Sequence, residues 1–212
     1  MQPYIAPFLV YLAFSFGADF FDFFPDSKLW VYPIKTIAVA LTLWHYRKTY
    51  RELTIKVEAS SIFRAIIVGI LVFVAWVAPD NLYPHLGSSQ YNPFAFEDAK
   101  ISWFLAIFRI AGATLVVPVF EELFWRSFLI RWIVNPDFTK IKLGHFTWFS
   151  FIIVTVFFGF EHNRWLVGLS AGVAYNLLLY KEKNIMPCIV SHAITNFLLG
   201  LYVLQTQEWS FW

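Results

Sequence analysis

The stretch Ala111-Gly-Ala-Thr-Leu-Val-Val-Pro118-Val-Phe-Glu121-Glu122-Leu-Phe-Trp-Arg126-Ser-Phe-Leu-Ile130 sets two carboxylates and a guanidinium inside an otherwise apolar run. A charge at membrane depth is costly, and such residues face a bundle interior or a cavity where they mark function. On a helix, Glu122 and Arg126 are four apart and share a face, where they can pair. Glu121 is turned by about 100° and is free to face a cavity. A carboxylate without a cationic partner can take a proton from water and pass it on, the work of a general base. The bland reading of the pair alone is an ion pair that pins helix packing. The second, adjacent carboxylate is what favours chemistry.

The rest of the chain supports membrane depth. Of its 212 residues, 59% are hydrophobic and 21% aromatic, only 14% are charged, and the mean hydropathy is +0.60. Soluble domains carry about 25% charged residues. The fold expected is an all-α, polytopic transmembrane bundle, a single integral membrane domain over 1–212 with a motif-bearing core over 101–204. A span needs about 20 mostly apolar residues. Seven segments come near that, at 4–21, 29–46, 62–78, 101–132 (bent at Pro118), 146–160, 165–180 and 185–204, with six to eight as the bounds. Arg47, Lys48, Arg51 and Lys56, then Arg131, Lys140 and Lys142, then Lys181 and Lys183, occupy alternate loops. The loops between them carry Asp19, Asp22 and Asp26, then Asp80, Glu97 and Asp98. By the positive-inside rule this alternation puts the N-terminus in the cytoplasm. The compact loops suggest a protein of the prokaryotic cytoplasmic membrane, and the first apolar run, lacking a basic leader, reads as a retained span. The Trp and Tyr residues at helix ends read as an interfacial belt. A net charge of +2 gives no footprint for nucleic acid. Cys188 is the single cysteine, so no intrachain disulfide forms. The loop 79–100 reads as a connection, with a lid over the bundle mouth as the alternative.

Two histidine segments supply partners for Glu121. In Phe158-Gly159-Phe-Glu161-His162 the histidine closes a helix, Phe158 shares its face and walls an apolar pocket, and Gly159 allows close helix approach. Glu161 and Arg164 are spaced to pair outside the site. In Ser191-His192-Ala-Ile-Thr195-Asn196, His192 and Asn196 are four apart and point the same way. Two donors aimed at one point make an oxyanion hole. Thr195 and Ser191 read as interhelical contacts.

Glu121-Glu122-x-x-x-Arg126, Phe158-x-x-x-His162 and His192-x-x-x-Asn196, in that order, resemble the three motifs of the CPBP (CAAX protease and bacteriocin-processing, Abi) intramembrane proteases, a family that includes the Ras-converting CAAX endopeptidase. The resemblance covers roughly 101–204. It implies helices around a conical intramembrane cavity. It casts Glu121 as the catalytic glutamate, His162 as its helper in activating water, and His192 with Asn196 as the oxyanion pair. Glu122, Arg126 and Phe158 take supporting positions. The chain departs from the family pattern at Glu161, where small or apolar residues are usual, and at Ser127, where glycine is frequent.

The reaction implied is hydrolysis of a peptide bond in a prenylated or otherwise membrane-tethered substrate. No cofactor is expected. The chain lacks a His-Glu-x-x-His helix, although Glu121, His162 and His192 form a donor set that suits zinc. The partners expected are membrane lipids and the tethered peptide. The alternatives are a non-catalytic membrane protein, such as an immunity or assembly factor, and a proton-coupled transporter relaying through the same residues.

Overall fold

The computed structural model describes residues 1–17, 20, 26–87 and 90–212. The end of the first expected span, the loop carboxylates Asp19 and Asp22, and Ser88 and Ser89 of the 79–100 loop lie outside the described residues. Seven helices carry the described chain: α1 (Gln2–Phe16), α2 (Val31–Tyr46), α3 (Ala59–Val77), α4 (Ala99–Trp132), α5 (Trp148–Phe160), α6 (Trp165–Glu182) and α7 (Met186–Thr206). Among the described residues there is no strand. Helices α3, α4 and α7 are long and apolar enough to cross a membrane, while α1 and α5 are apolar but shorter.

Polarity is distributed inside out relative to a water-soluble protein. On α5 the exposed side chains are Trp148, Phe149, Ile152, Val156, Phe157 and Phe160, spaced as one outward apolar face. On α3, Phe63, Ile66, Ile67, Ile70, Leu71 and Val74 do the same. The interior holds Glu121, Glu122, Arg126, Asn176, His192 and Thr195. Lipid accepts the outer faces and excludes these polar groups, so the protein is an integral membrane protein.

Helix α4 is interrupted as the proline requires, and in two stages. Its 34 residues would span about 50 Å if straight, well beyond the roughly 30 Å hydrocarbon core. Regular α-helix stops at Leu115 and resumes at Val117, because Pro118 has no N–H to give the preceding turn. After Glu122 the chain widens into a π-helical stretch, Leu123–Leu129. Such insertions rotate side chains relative to a continuous α-helix and concentrate at functional sites. The start of α4 is capped by Asp98, whose carboxylate accepts from Lys100 N at 2.7 Å, and that of α5 by Thr147, whose hydroxyl accepts from Ser150 N at 3.2 Å.

Helix α7 lies among α3, α4 and α6 and is the axis on which the site is built. Small residues let it do so. A Cβ at Gly69 of α3 would stand 2.5 Å from the Ser191 carbonyl oxygen of α7, the residue beside His192. A Cβ at Gly168 of α6 would stand 2.8 Å from the Gly159 carbonyl oxygen of α5. The close approach expected at Gly159 is therefore present, with Gly168 as its counterpart. We expect Gly69→Ala to push α7 away, destabilising by about 1–3 kcal/mol as overpacking does. Thermal unfolding in detergent micelles checks this.

Candidate active site

Glu122 and Arg126 are both fully buried, and Arg126 Nη1 donates to Glu122 Oε1 at 3.3 Å. His192 Nδ1 lies 3.0 Å from the same oxygen. A carboxylate oxygen only accepts, so Nδ1 carries the proton and Nε2 is left facing the cavity. Arg126 is held from two further sides. Its Nε donates to Asn176 Oδ1 at 3.2 Å, and Asn176 Nδ2 in turn donates to Thr155 Oγ1 at 3.0 Å. The guanidinium carbon sits 4.0 Å from the centre of the Phe158 ring, a cation–π contact. Glu122 and Arg126 thus tie α4 to α5, α6 and α7.

Glu121 takes the other direction. It lines a cavity of about 160 Å³ together with Phe158, His162, His192 and Asn196. The residues singled out from the three motifs therefore meet, with Glu122 and Arg126 packed behind them. Glu121 is buried, and its Oε2 has no hydrogen-bond partner. His162 Nδ1 lies 2.8 Å from the Phe158 carbonyl oxygen. That oxygen accepts, so Nδ1 is the protonated nitrogen and Nε2 presents a lone pair. The Trp76 and Phe158 rings, with centroids 5.2 and 5.0 Å from the imidazole, hold it in place. His192 stacks on Tyr175 at 5.2 Å. Tyr175 donates to Thr195 Oγ1 at 2.9 Å, and Thr195 donates to the Gly69 carbonyl at 2.9 Å, an interhelical contact as expected.

Asn196 is partly committed. One of its amide protons goes to the Ala113 carbonyl at 2.8 Å, next to the break in α4 that Pro118 imposes. The other proton of that nitrogen remains for the cavity.

The expected Glu161–Arg164 pair does not form. Glu161 Oε2 accepts from Trp125 Nε1 at 3.1 Å, while Arg164 pairs with Asp80 and donates to the Ser210 carbonyl at 2.6 Å. The turn after α5 directs Glu161 toward α4 and Arg164 toward the 79–100 loop. That loop also bonds the turn through Leu86 N to the Asn163 carbonyl at 2.9 Å. It is a brace on the segment bearing His162. Ser127 has an equally local explanation: its hydroxyl donates to Glu52, which also accepts from Tyr4 OH at 3.0 Å. Of the two departures from the family pattern, Glu161 thus bonds onto the π-helical stretch through Trp125, and Ser127 bonds out of that stretch to Glu52.

Sequence reasoning passed over several cavity residues. Arg109 lines the cavity, as do Tyr11, Tyr32 and Tyr175. Lys35 of α2 is buried, donates to Ser15 Oγ at 3.0 Å and sits 4.0 Å above the Tyr11 ring. Arg109 and Lys35 are ionisable groups within apolar runs, so the signal that found Glu121 applies to them equally. The tyrosines carry no such signal. Among the described residues, no group of three His, Cys, Asp or Glu side chains is arranged to hold a metal.

The fold and site define a polytopic helical membrane protein with a carboxylate–histidine cavity among its helices. Residues 102–198 match the family model described as Type II CAAX prenyl endopeptidase Rce1-like. This bears out the CAAX protease resemblance carried by the three motifs and supports a CAAX-type protease function in general terms. No curated protein and no solved structure matches the chain.

Proposed function

We propose that this protein is an intramembrane endopeptidase that hydrolyses a peptide bond of a membrane-tethered substrate with a water activated by Glu121 and His162. The observation that carries this reading is the convergence of Glu121, His162, His192 and Asn196 on one cavity. Glu121 Oε2, without a hydrogen-bond partner among the described residues, accepts a proton from water, while His162 Nε2 orients that water by accepting its second hydrogen. The oxygen attacks the scissile carbonyl carbon and the carbonyl electrons move to its oxygen. The free N–H of Asn196 meets that oxyanion. For His192 to donate to it as well, Nε2 must carry a proton in addition to the Nδ1 proton held by Glu122. On collapse the C–N bond breaks, and the proton held by Glu121 passes to the leaving amine. Loss of one oxyanion donor typically costs about 10²- to 10³-fold in rate.

The reading needs no metal. Glu121 supplies the base. The alternating loop charges support a cytoplasmic N-terminus and the compact loops a prokaryotic membrane, and the membrane partners are lipids and the tethered peptide itself.

The test is direct. Purified protein in lipid nanodiscs should cleave a lipid-anchored fluorogenic peptide, and 1,10-phenanthroline or EDTA should leave the rate unchanged. Inhibition by both chelators, relieved by added zinc, would replace the glutamate–water scheme with a metal one. Absence of cleavage, with pH-driven solute flux in proteoliposomes, would favour the transporter reading.

A further inference from the structure

Arg109 lines the cavity and takes no part in the mechanism above. Arg126, Arg131 and Arg164 each pair with a carboxylate of the protein, whereas Arg109 forms no ion pair among the described residues. Its Nε is buried without a hydrogen-bond partner among the described residues. The guanidinium carbon stands 4.0 Å from the Tyr32 ring centre and 5.3 Å from that of Tyr91. These rings fix the plane of the group through cation–π contact but neutralise nothing. Arg109 also lines the adjoining pocket that contains Glu161 and Arg164, sharing both linings with Trp76, His162, Phe211 and Trp212. It therefore stands where the two spaces meet.

A buried guanidinium nitrogen left without an acceptor is costly, and the planar fork of a guanidinium matches a carboxylate by two parallel N–H···O bonds. Glu121 lines the same cavity, but its Oε2 is without a hydrogen bond, so the protein does not spend its own carboxylate on Arg109. An anion brought by the substrate is what the site lacks.

Building on the peptidase reading, we propose that Arg109 is a specificity residue that binds a carboxylate of the peptide substrate. The carboxylate comes either from the peptide's C-terminus or from an acidic side chain near the scissile bond, and two pairs of peptides separate these sources. One pair differs by a C-terminal carboxylate against an amide, the other by Glu against Gln beside the scissile bond. Neutralising the carboxylate that is bound should lower kcat/KM by roughly 10- to 100-fold, the usual worth of a charge-assisted hydrogen-bond pair. Arg109→Gln should lower the rate on the charged peptide by a similar factor and leave the neutral peptide unaffected, and Arg109→Lys should restore part of the loss. Binding of the same peptides to the Glu121→Gln protein, followed by fluorescence anisotropy, reads the contact without turnover. There a 10- to 100-fold preference for the charged peptide should vanish with Arg109→Gln. Equal binding of all four peptides, or an Arg109→Gln effect equal on charged and neutral peptides, overturns the assignment. Failure of catalysis with the preference intact would count against the peptidase reading alone.

Discussion

Replacing Glu121 by glutamine is expected to lower kcat by roughly 10²- to 10⁴-fold, the range of a lost general base, with no loss of folded protein. Glutamine has the same shape and fills the same cavity wall, but its amide cannot take a proton from water. The folded state should not suffer, because Glu121 Oε2 has no hydrogen-bond partner among the described residues. Burying an unpaired carboxylate costs more than burying an amide, so the melting temperature should hold or rise. Cleavage of the lipid-anchored peptide and thermal unfolding, measured on the same preparation, check both halves. Wild-type turnover by Glu121→Gln would remove the glutamate from the mechanism. Lost turnover accompanied by a fallen melting temperature would reduce it to a structural residue.

Arg126→Leu should show the opposite signature, a loss of stability of about 3–5 kcal/mol from breaking a buried ion pair. Glu122 would lose one donor while its charge stays fully buried, and its Oε2 already has no partner. Asn176 would lose the donor at its Oδ1, and Phe158 the cation above its ring. His192 would be left as the remaining partner of Glu122. The double change Glu122→Leu/Arg126→Leu should cost less than the sum of the single changes, since the uncompensated charge disappears with its partner. Unfolding midpoints of the three variants in detergent give the coupling. Additive losses would show that the pair does not act as a unit.

Adjacent glutamates are alike in composition, and their division of labour rests on helix periodicity. Four residues separate Glu122 from Arg126, so they meet; one residue separates Glu121 from Glu122, so it faces elsewhere. That much is local and legible. The closure of Glu161 onto Trp125, in place of the expected pairing with Arg164, is not. Only Arg164 was within reach of Glu161 by spacing, Trp125 being 36 residues away, and the choice was made by the turn after α5 and by Asp80, which lies in a loop more than 80 residues away and claims Arg164. Arg109 and Lys35 bore the same mark as Glu121, an ionisable group in an apolar run, but no motif surrounds them, and only the packed helices show that Arg109 borders the catalytic space. The Ser127 position illustrates the same limit. In sequence it reads as a departure from a small residue; in the fold its hydroxyl bonds Glu52, and α1 joins through Tyr4.

Sequence alone determined that the chain is helical and membrane-embedded, that α4 breaks at Pro118, and which carboxylate pairs with Arg126. Each follows from interactions within a few residues or from apolar content summed over a span. The π-helical stretch after Glu122, the tautomers of His162 and His192, the commitment of Asn196 to the Ala113 carbonyl and the cavity to which all seven helices contribute were decided by tertiary structure. They depend on which donors and acceptors distant segments bring together, and a buried polar group must find a partner wherever packing supplies one.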